Sequence, residues 1–118
     1  MKTSVLVINA VKKESDSMAD LLRAAGYLPY CVDHLQDAPA AITAGACAAV
    51  LLDLDSIKVS NRAVREISRQ FPRVCFLCTS WRPMHPELKD AISQHIYACI
   101  QKPIDREELV YWLKSGRR

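Results

Sequence analysis

The sequence predicts an α/β fold of the (βα)5 type, a doubly wound parallel sheet with helices on both faces, formed by residues 1–118 as a single domain. Three observations lead there. Short apolar runs alternate five times with longer stretches of helical spacing. The runs are apolar on both faces, which marks strands covered by a helix layer on either side. A chain of 118 residues, half hydrophobic and a quarter charged, supports one core without disulfides or a structural metal, and not two.

Ser4 to Asn9 forms the first apolar run, and Met18, Leu21, Leu22 and Ala25 then repeat at helical spacing until Gly26 stops them. Leu28 to Val32 reads as the second strand. Asp37 offers an N-cap to a short Ala-rich helix that ends near Gly45, and Ala48 to Asp53 is the third strand. Asn61 caps a helix with Val64, Ile67 and Phe71 as its inward stripe, and Pro72 ends it. Val74 to Cys78 is the fourth strand. Pro86 suits a first helical turn, with Leu88, Ala91 and Ile92 buried, before a fifth strand from Tyr97 to Gln101. In the last helix Asp105 and Glu108 form a capping box, Leu109, Trp112 and Leu113 the stripe, and Lys114, Arg117 and Arg118 face the negative helix end.

The formal charge of +3 is small and interspersed, so no nucleic-acid surface is expected. The longest apolar runs, Val5 to Ile8 and Ala46 to Leu52, fall far short of the roughly 18 residues of a membrane span, and the N-terminus lacks the core of a signal peptide. Five cysteines without a secretory signal indicate reduced thiols, so the chain is expected in the cytoplasm.

For five such strands the common order is 2-1-3-4-5, with the binding crevice at the carboxyl ends of strands one and three. Asn9, Asp53, Thr79 and Lys102 end strands one, three, four and five on that edge. A carboxylate, a hydroxyl and an ammonium in one crevice suit phosphoryl chemistry.

Three segments carry a resemblance: Val50-Leu51-Leu52-Asp53-Leu54, Cys78-Thr79-Ser80 and Gln101-Lys102-Pro103. With these in order at strand ends, the chain resembles the response-regulator receiver domains of two-component signalling over essentially its whole length. The resemblance implies a flavodoxin-like fold, Asp53 as phosphoacceptor, Thr79 and Lys102 as the groups that engage the phosphate, and Mg²⁺ on Asp53 and the backbone carbonyl of Asp55. It implies a sensor histidine kinase or phosphotransfer protein upstream and a protein target downstream, contacted through the face made by the fourth helix, fifth strand and fifth helix. It implies no enzymatic role beyond self-phosphorylation and slow dephosphorylation.

The sequence departs from the family pattern at strand one, where receivers place two adjacent acidic residues and this chain has Asn9 and Ala10. Ala10 has no side-chain ligand and Asn9 only a neutral oxygen, so Mg²⁺ binding is expected to be weak. Glu14 or Asp16 swinging in would restore a carboxylate; Lys12 or Lys13 pairing with Asp53 would build a cation into the site. The usual aromatic switch position holds Cys99, with Tyr97 on the same face as a stand-in. Trp81 and Arg82 form either an exposed partner anchor or a cap folded onto the fourth helix.

Cys75 and Cys78 show a metal-like spacing, but residues three apart on a strand point to opposite faces, so both are expected as core thiols. His34, His85 and His95 lack ligand spacing and are expected in surface or capping roles. With three glycines there is no phosphate-cradling loop. Two versions of the receiver reading follow: a phosphoacceptor with a degraded Mg²⁺ site, and a pseudo-receiver that signals without phosphorylation. The alternative is a small flavodoxin-like ligand-binding domain or enzyme using Asp53 and Lys102 on a metabolite. Homodimerisation through the last helices is left open.

Overall fold

Five apolar runs become five parallel strands in the expected order 2-1-3-4-5: β1 (Ser4–Ile8), β2 (Leu28–Val32), β3 (Ala49–Asp53), β4 (Cys75–Ser80) and β5 (Ala98–Gln101). The crossovers carry α1 (Lys12–Ala24), α2 (Ala38–Gly45), α3 (Asn61–Gln70) and α4 (Lys89–His95), and α5 (Arg106–Ser115) follows the last strand. The computed structural model describes residues 2–116, so Arg117 and Arg118, assigned above to the end of the last helix, lie outside the described residues. No described helix is long and apolar enough to cross a membrane.

Side chains alternate across each strand, and the core accordingly divides in two. Val5, Val7, Leu51, Leu77 and Ile100 pack with Leu22 of α1 and Leu109 and Leu113 of α5. Leu6, Ile8, Val50, Leu52, Phe76 and Cys78 pack with Ile42, Val64, Ile67 and Ala91 of α2, α3 and α4. Cys75 and Cys78 fall in different layers, as their spacing on a strand demands.

The element ends differ from the sequence reading in ways that matter to the site. β4 runs through Thr79 to Ser80, so the hydroxyl is held by the ladder and not by a loop. β1 stops at Ile8 and leaves Asn9 free to turn. Asn61 does not cap its own helix. Ser60 does, its side chain accepting from the Ala63 N–H, while Asn61 reaches across to α4. There its Oδ1 accepts the Ala91 N–H at 2.8 Å and its Nδ2 donates to the Glu87 carbonyl at 3.0 Å. Ala91 is the third residue of α4, so one helix supplies the N-terminal cap that the other lacks.

Asp37 ends a 3-10 turn (Leu35–Asp37) and makes no side-chain cap to α2, and Pro86 opens another 3-10 turn (Pro86–Leu88) ahead of α4. Asp105 accepts from the Glu108 N–H at 2.9 Å, but Glu108 turns to the Trp112 indole instead of completing the box. Gly26 takes φ of 92°, which only glycine adopts without strain. Gly45 stands where a Cβ would press on the Tyr30 ring at 2.9 Å; the left-handed residue after α2 is Ala46.

Candidate functional site

Parallel winding turns every strand's carboxyl end to one edge, and the polar strand ends meet there. Asp53 and Thr79 are register partners on β3 and β4, so their side chains leave the same face side by side. The Thr79 hydroxyl donates to Asp53 Oδ1 and the Ser56 N–H to Oδ2, each at 3.0 Å. Lys102, just beyond β5, places Nζ 2.7 Å from Asp53 Oδ1. Asp53 is 1 % exposed, and an ammonium, a hydroxyl and an amide surround its carboxylate.

The Lys102 ammonium has two more partners, Asp55 Oδ2 and Glu14 Oε1, both at 2.9 Å. An ammonium has three N–H donors, and here three carboxylates surround them. The lysine side chain is 8 % exposed. Burial pulls the amine down, but the contacts to Asp53, Asp55 and Glu14 outweigh it and hold Lys102 above the ordinary lysine range.

Asp55 acts through its side chain, where the sequence reading used only its backbone carbonyl. The Ser80 hydroxyl donates to Oδ1 at 2.8 Å and the Trp81 N–H to Oδ2 at 2.9 Å. Burial pushes this carboxyl up, and the bonds from Lys102, Ser80 and Trp81 more than reverse that, leaving it below the usual carboxylate range.

Asn9 faces the site with the wrong end for a cation. Its Oδ1 is taken by the Val11 N–H at 2.8 Å and the Ser56 hydroxyl at 3.1 Å, while Nδ2 donates to Glu14 Oε1 at 3.1 Å. Glu14 therefore does turn inward, held between an amide and an ammonium. Asp16 does not: it pairs with Lys12 at 3.3 Å on the surface. Neither Lys12 nor Lys13 pairs with Asp53, because Lys102 already fills that place from the sheet edge.

Trp81 is exposed rather than folded away, with its carbonyl accepting from Gln101 Nε2 at 3.2 Å, and Arg82 is tied to Glu87 at 3.0 Å. Tyr97 lies edge-to-face against Trp112, their centroids 5.7 Å apart. Of the surface or capping roles expected of His85, the surface one fails, since it is buried; it stands at the N-cap position of the Pro86–Leu88 turn without a side-chain cap bond, with Glu87 near Nδ1 and no partner for Nε2 among the described residues. A cavity of about 360 Å³ opens beside the site between α1 and the segment after β5, with Met18, Leu21 and Ile104 on its apolar side. Thr79 and Lys102 reach its wall, and Asp53 does not.

No family model and no curated protein matches the chain by sequence. Solved structures do match by shape. The signal receiver domain of an HD domain-containing protein from Pseudomonas fluorescens Pf-5 superposes with a TM-score of 0.84 at 17% identity, over 98% of this chain and 94% of that one. The chain has the receiver fold. A CheY-like response regulator receiver domain protein from Methanospirillum hungatei JF-1 gives a TM-score of 0.83 at 15% identity, covering 98% and 93%. An orphan response regulator of H. pylori gives 0.80 at 20% identity, covering 98% and 97%. On the receiver fold, Asp53, Thr79 and Lys102 stand together at the sheet edge where the resemblance placed them.

Proposed function

We propose that this chain is a signal-receiver module of two-component signalling that acts in the cytoplasm through partner proteins, and that its acid site is closed by its own lysine and works without phosphoryl transfer. The observation that carries the proposal is the Lys102 ammonium within 3 Å of Asp53, Asp55 and Glu14 at once.

The receiver fold implies a Mg²⁺ ion, and the residues present do not fit one. Mg²⁺ demands near-octahedral oxygen ligands at about 2.1 Å. Here the three carboxylates converge on an ammonium, Asn9 presents a donor toward them, and Ala10 has no side-chain ligand. Three carboxylates against one ammonium leave a formal deficit of two positive charges, and a phosphoryl group on Asp53 would deepen it. That group would also have to reach a carboxylate whose Oδ1 is held by Thr79 and Lys102 and whose Oδ2 accepts from the Ser56 N–H. Both facts favour the phosphorylation-independent version over the phosphoacceptor.

Partner contact is supported by large apolar side chains left exposed on the β4–α4 loop, at the start of β5 and on α5: Trp81, Met84, Tyr97 and Tyr111. The upstream partner on this reading is a sensor histidine kinase or phosphotransfer protein, and the downstream one a protein target. The test is incubation with a small phosphodonor and Mg²⁺, followed by intact mass, beside a calorimetric Mg²⁺ titration. The expected result is an unmodified chain and no heat of binding. A mass gain of one phosphoryl group that disappears in D53N overturns the proposal and establishes the phosphoacceptor.

The cavity between α1 and the segment after β5 favours a second reading, a small ligand-binding domain, because its volume suits a metabolite. Lys102 would face such a ligand, but Asp53 would not. Native mass spectrometry of the gently purified chain, searching for a co-purified small molecule, separates the two.

A further inference from the structure

Cys78 on β4 and Cys99 on β5 are direct register partners. Residues so paired on neighbouring parallel strands have Cα atoms about 4.8 Å apart and side chains on one face, inside the roughly 4.4–6.8 Å that a disulfide spans. Cys78 is buried in the layer that holds Phe76, Ala91 and Ile96, and Cys99 is exposed on the edge strand. The other cysteines have no such neighbour: Cys75 faces the α1–α5 layer, Cys47 lies just past α2, and Cys31 sits on β2 at the far edge of the sheet.

We propose that Cys78 and Cys99 form an oxidisable dithiol, which a hydroperoxide converts into a reversible disulfide joining β4 to β5. The two positions play unequal parts. A hydrogen bond with Cys78 holds the Cys99 thiol below its ordinary range against the opposing effect of burial, while that same bond together with burial pushes Cys78 up. Cys99 is therefore the group that ionises first and the one a peroxide can reach.

Its thiolate attacks a peroxide oxygen, the O–O bond breaks, and the departing hydroxide or alkoxide takes up a proton, leaving Cys99 as the sulfenic acid. The Cys78 sulfur then attacks the Cys99 sulfur. The S–O bond breaks, and the hydroxide leaves as water with the Cys78 proton. Two thiols lose two electrons in all, and hydrogen peroxide becomes two waters. The link ties the strand that carries Thr79 to the strand that runs into Lys102, so oxidation fixes the spacing of two members of the acid site without touching either. It does not depend on the signalling proposal.

The test treats the reduced full chain with hydrogen peroxide, alkylates the remaining thiols, and reads intact mass and linked peptides, with glutathione oxidised in parallel as a control. Expected are the loss of two of the five alkylatable thiols, a Cys78–Cys99 linked peptide within one chain, and full recovery with dithiothreitol. C99S should retain all four of its thiols. C78S should stop at a Cys99 sulfenic acid that dimedone traps, a result independent of how well any disulfide packs. The proposal is overturned if the five thiols survive conditions that oxidise glutathione, if the linked peptide joins other cysteines, or if the link forms between two chains.

Discussion

Replacing Lys102 with methionine isolates the ammonium that holds the acid site together. Methionine keeps the length and apolar stem but leaves Asp53 buried without its cation, and removing one partner of a buried pair costs about 3–5 kcal/mol. The structure argues for the lower end. Asp53 keeps the Thr79 hydroxyl and the Ser56 N–H, and the other two carboxylates can turn to water, with Asp55 24 % and Glu14 40 % exposed in their side chains. Release of such partly exposed groups adds little. The expected loss is about 3 kcal/mol, or roughly 12 °C in melting temperature for a domain of this size. The decisive comparison is D53N/K102M, which removes both buried charges and should return to within about 1 kcal/mol of the parent chain, about 2 kcal/mol better than K102M, with D53N completing the cycle that gives the coupling. Urea unfolding of the four proteins at neutral pH measures it. A K102M chain as stable as the parent, or a double variant no better than K102M, would refute the idea that the buried Asp53–Lys102 pair organises this edge.

Asp55 is held below its ordinary value of 3.8, so its contribution to stability is complete above about pH 4 and is lost as the pH falls through the folded value. D55N should therefore flatten the acid limb of a stability–pH curve, and an unchanged limb would count against the Ser80 and Trp81 contacts. Lys102 behaves in the opposite sense: raised above its ordinary 10.5, it contributes fully below about pH 10, and that contribution disappears as the pH rises through the folded value. N61A should cost about 1–2 kcal/mol and speed hydrogen exchange at the Ala91 amide, because the cap of α4 is lost, whereas N61D keeps the acceptor for Ala91 but loses the donor to the Glu87 carbonyl and should slow that exchange again while recovering only part of the stability. G116A drives a Cβ into Cys75 Sγ and should cost about 1–3 kcal/mol by thermal unfolding, with C75A/G116A recovering part of that loss.

Part of the site is legible in the sequence alone. Asp53, Thr79 and Lys102 each end an apolar run, and a run's end needs only periodicity to locate; parallel winding then brings such ends to one edge. What lies between those ends could not be read so. Glu14, Asp16, Lys12 and Lys13 sit within one turn of each other, and only rotamers and local pairing decide that Glu14 turns inward while Lys12 holds Asp16 outside. Asn61 has the residue type of a local cap, and nothing in its neighbours shows that its amide spans to α4. Cys99 was read as a missing aromatic ring. Its pairing with Cys78 needs the register of an edge strand, which depends on where β5 begins, and element boundaries are the least legible part of a sequence.

Where the receiver resemblance implies an acidic pair at the end of strand one, this chain carries acidic groups elsewhere in the crevice. The two carboxylates missing at Asn9 and Ala10 have counterparts in Glu14 and Asp55, so three acidic groups and one lysine still share the crevice. Their geometry differs from that of an open metal site. Carboxylates around an open space hold a metal by leaving room for one, whereas these close upon an ammonium tethered to β5 and upon donors from Ser80, Trp81 and Asn9. An ion entering that space must first break several charge-assisted hydrogen bonds at about 1.5–3 kcal/mol each, and must then compete with a lysine that cannot diffuse away. On the interaction-module reading, the state of the edge is accordingly set by the position of β5 and the residues that precede Lys102, which is where a partner on the exposed β4–α4 loop, or a bond between Cys78 and Cys99, would act.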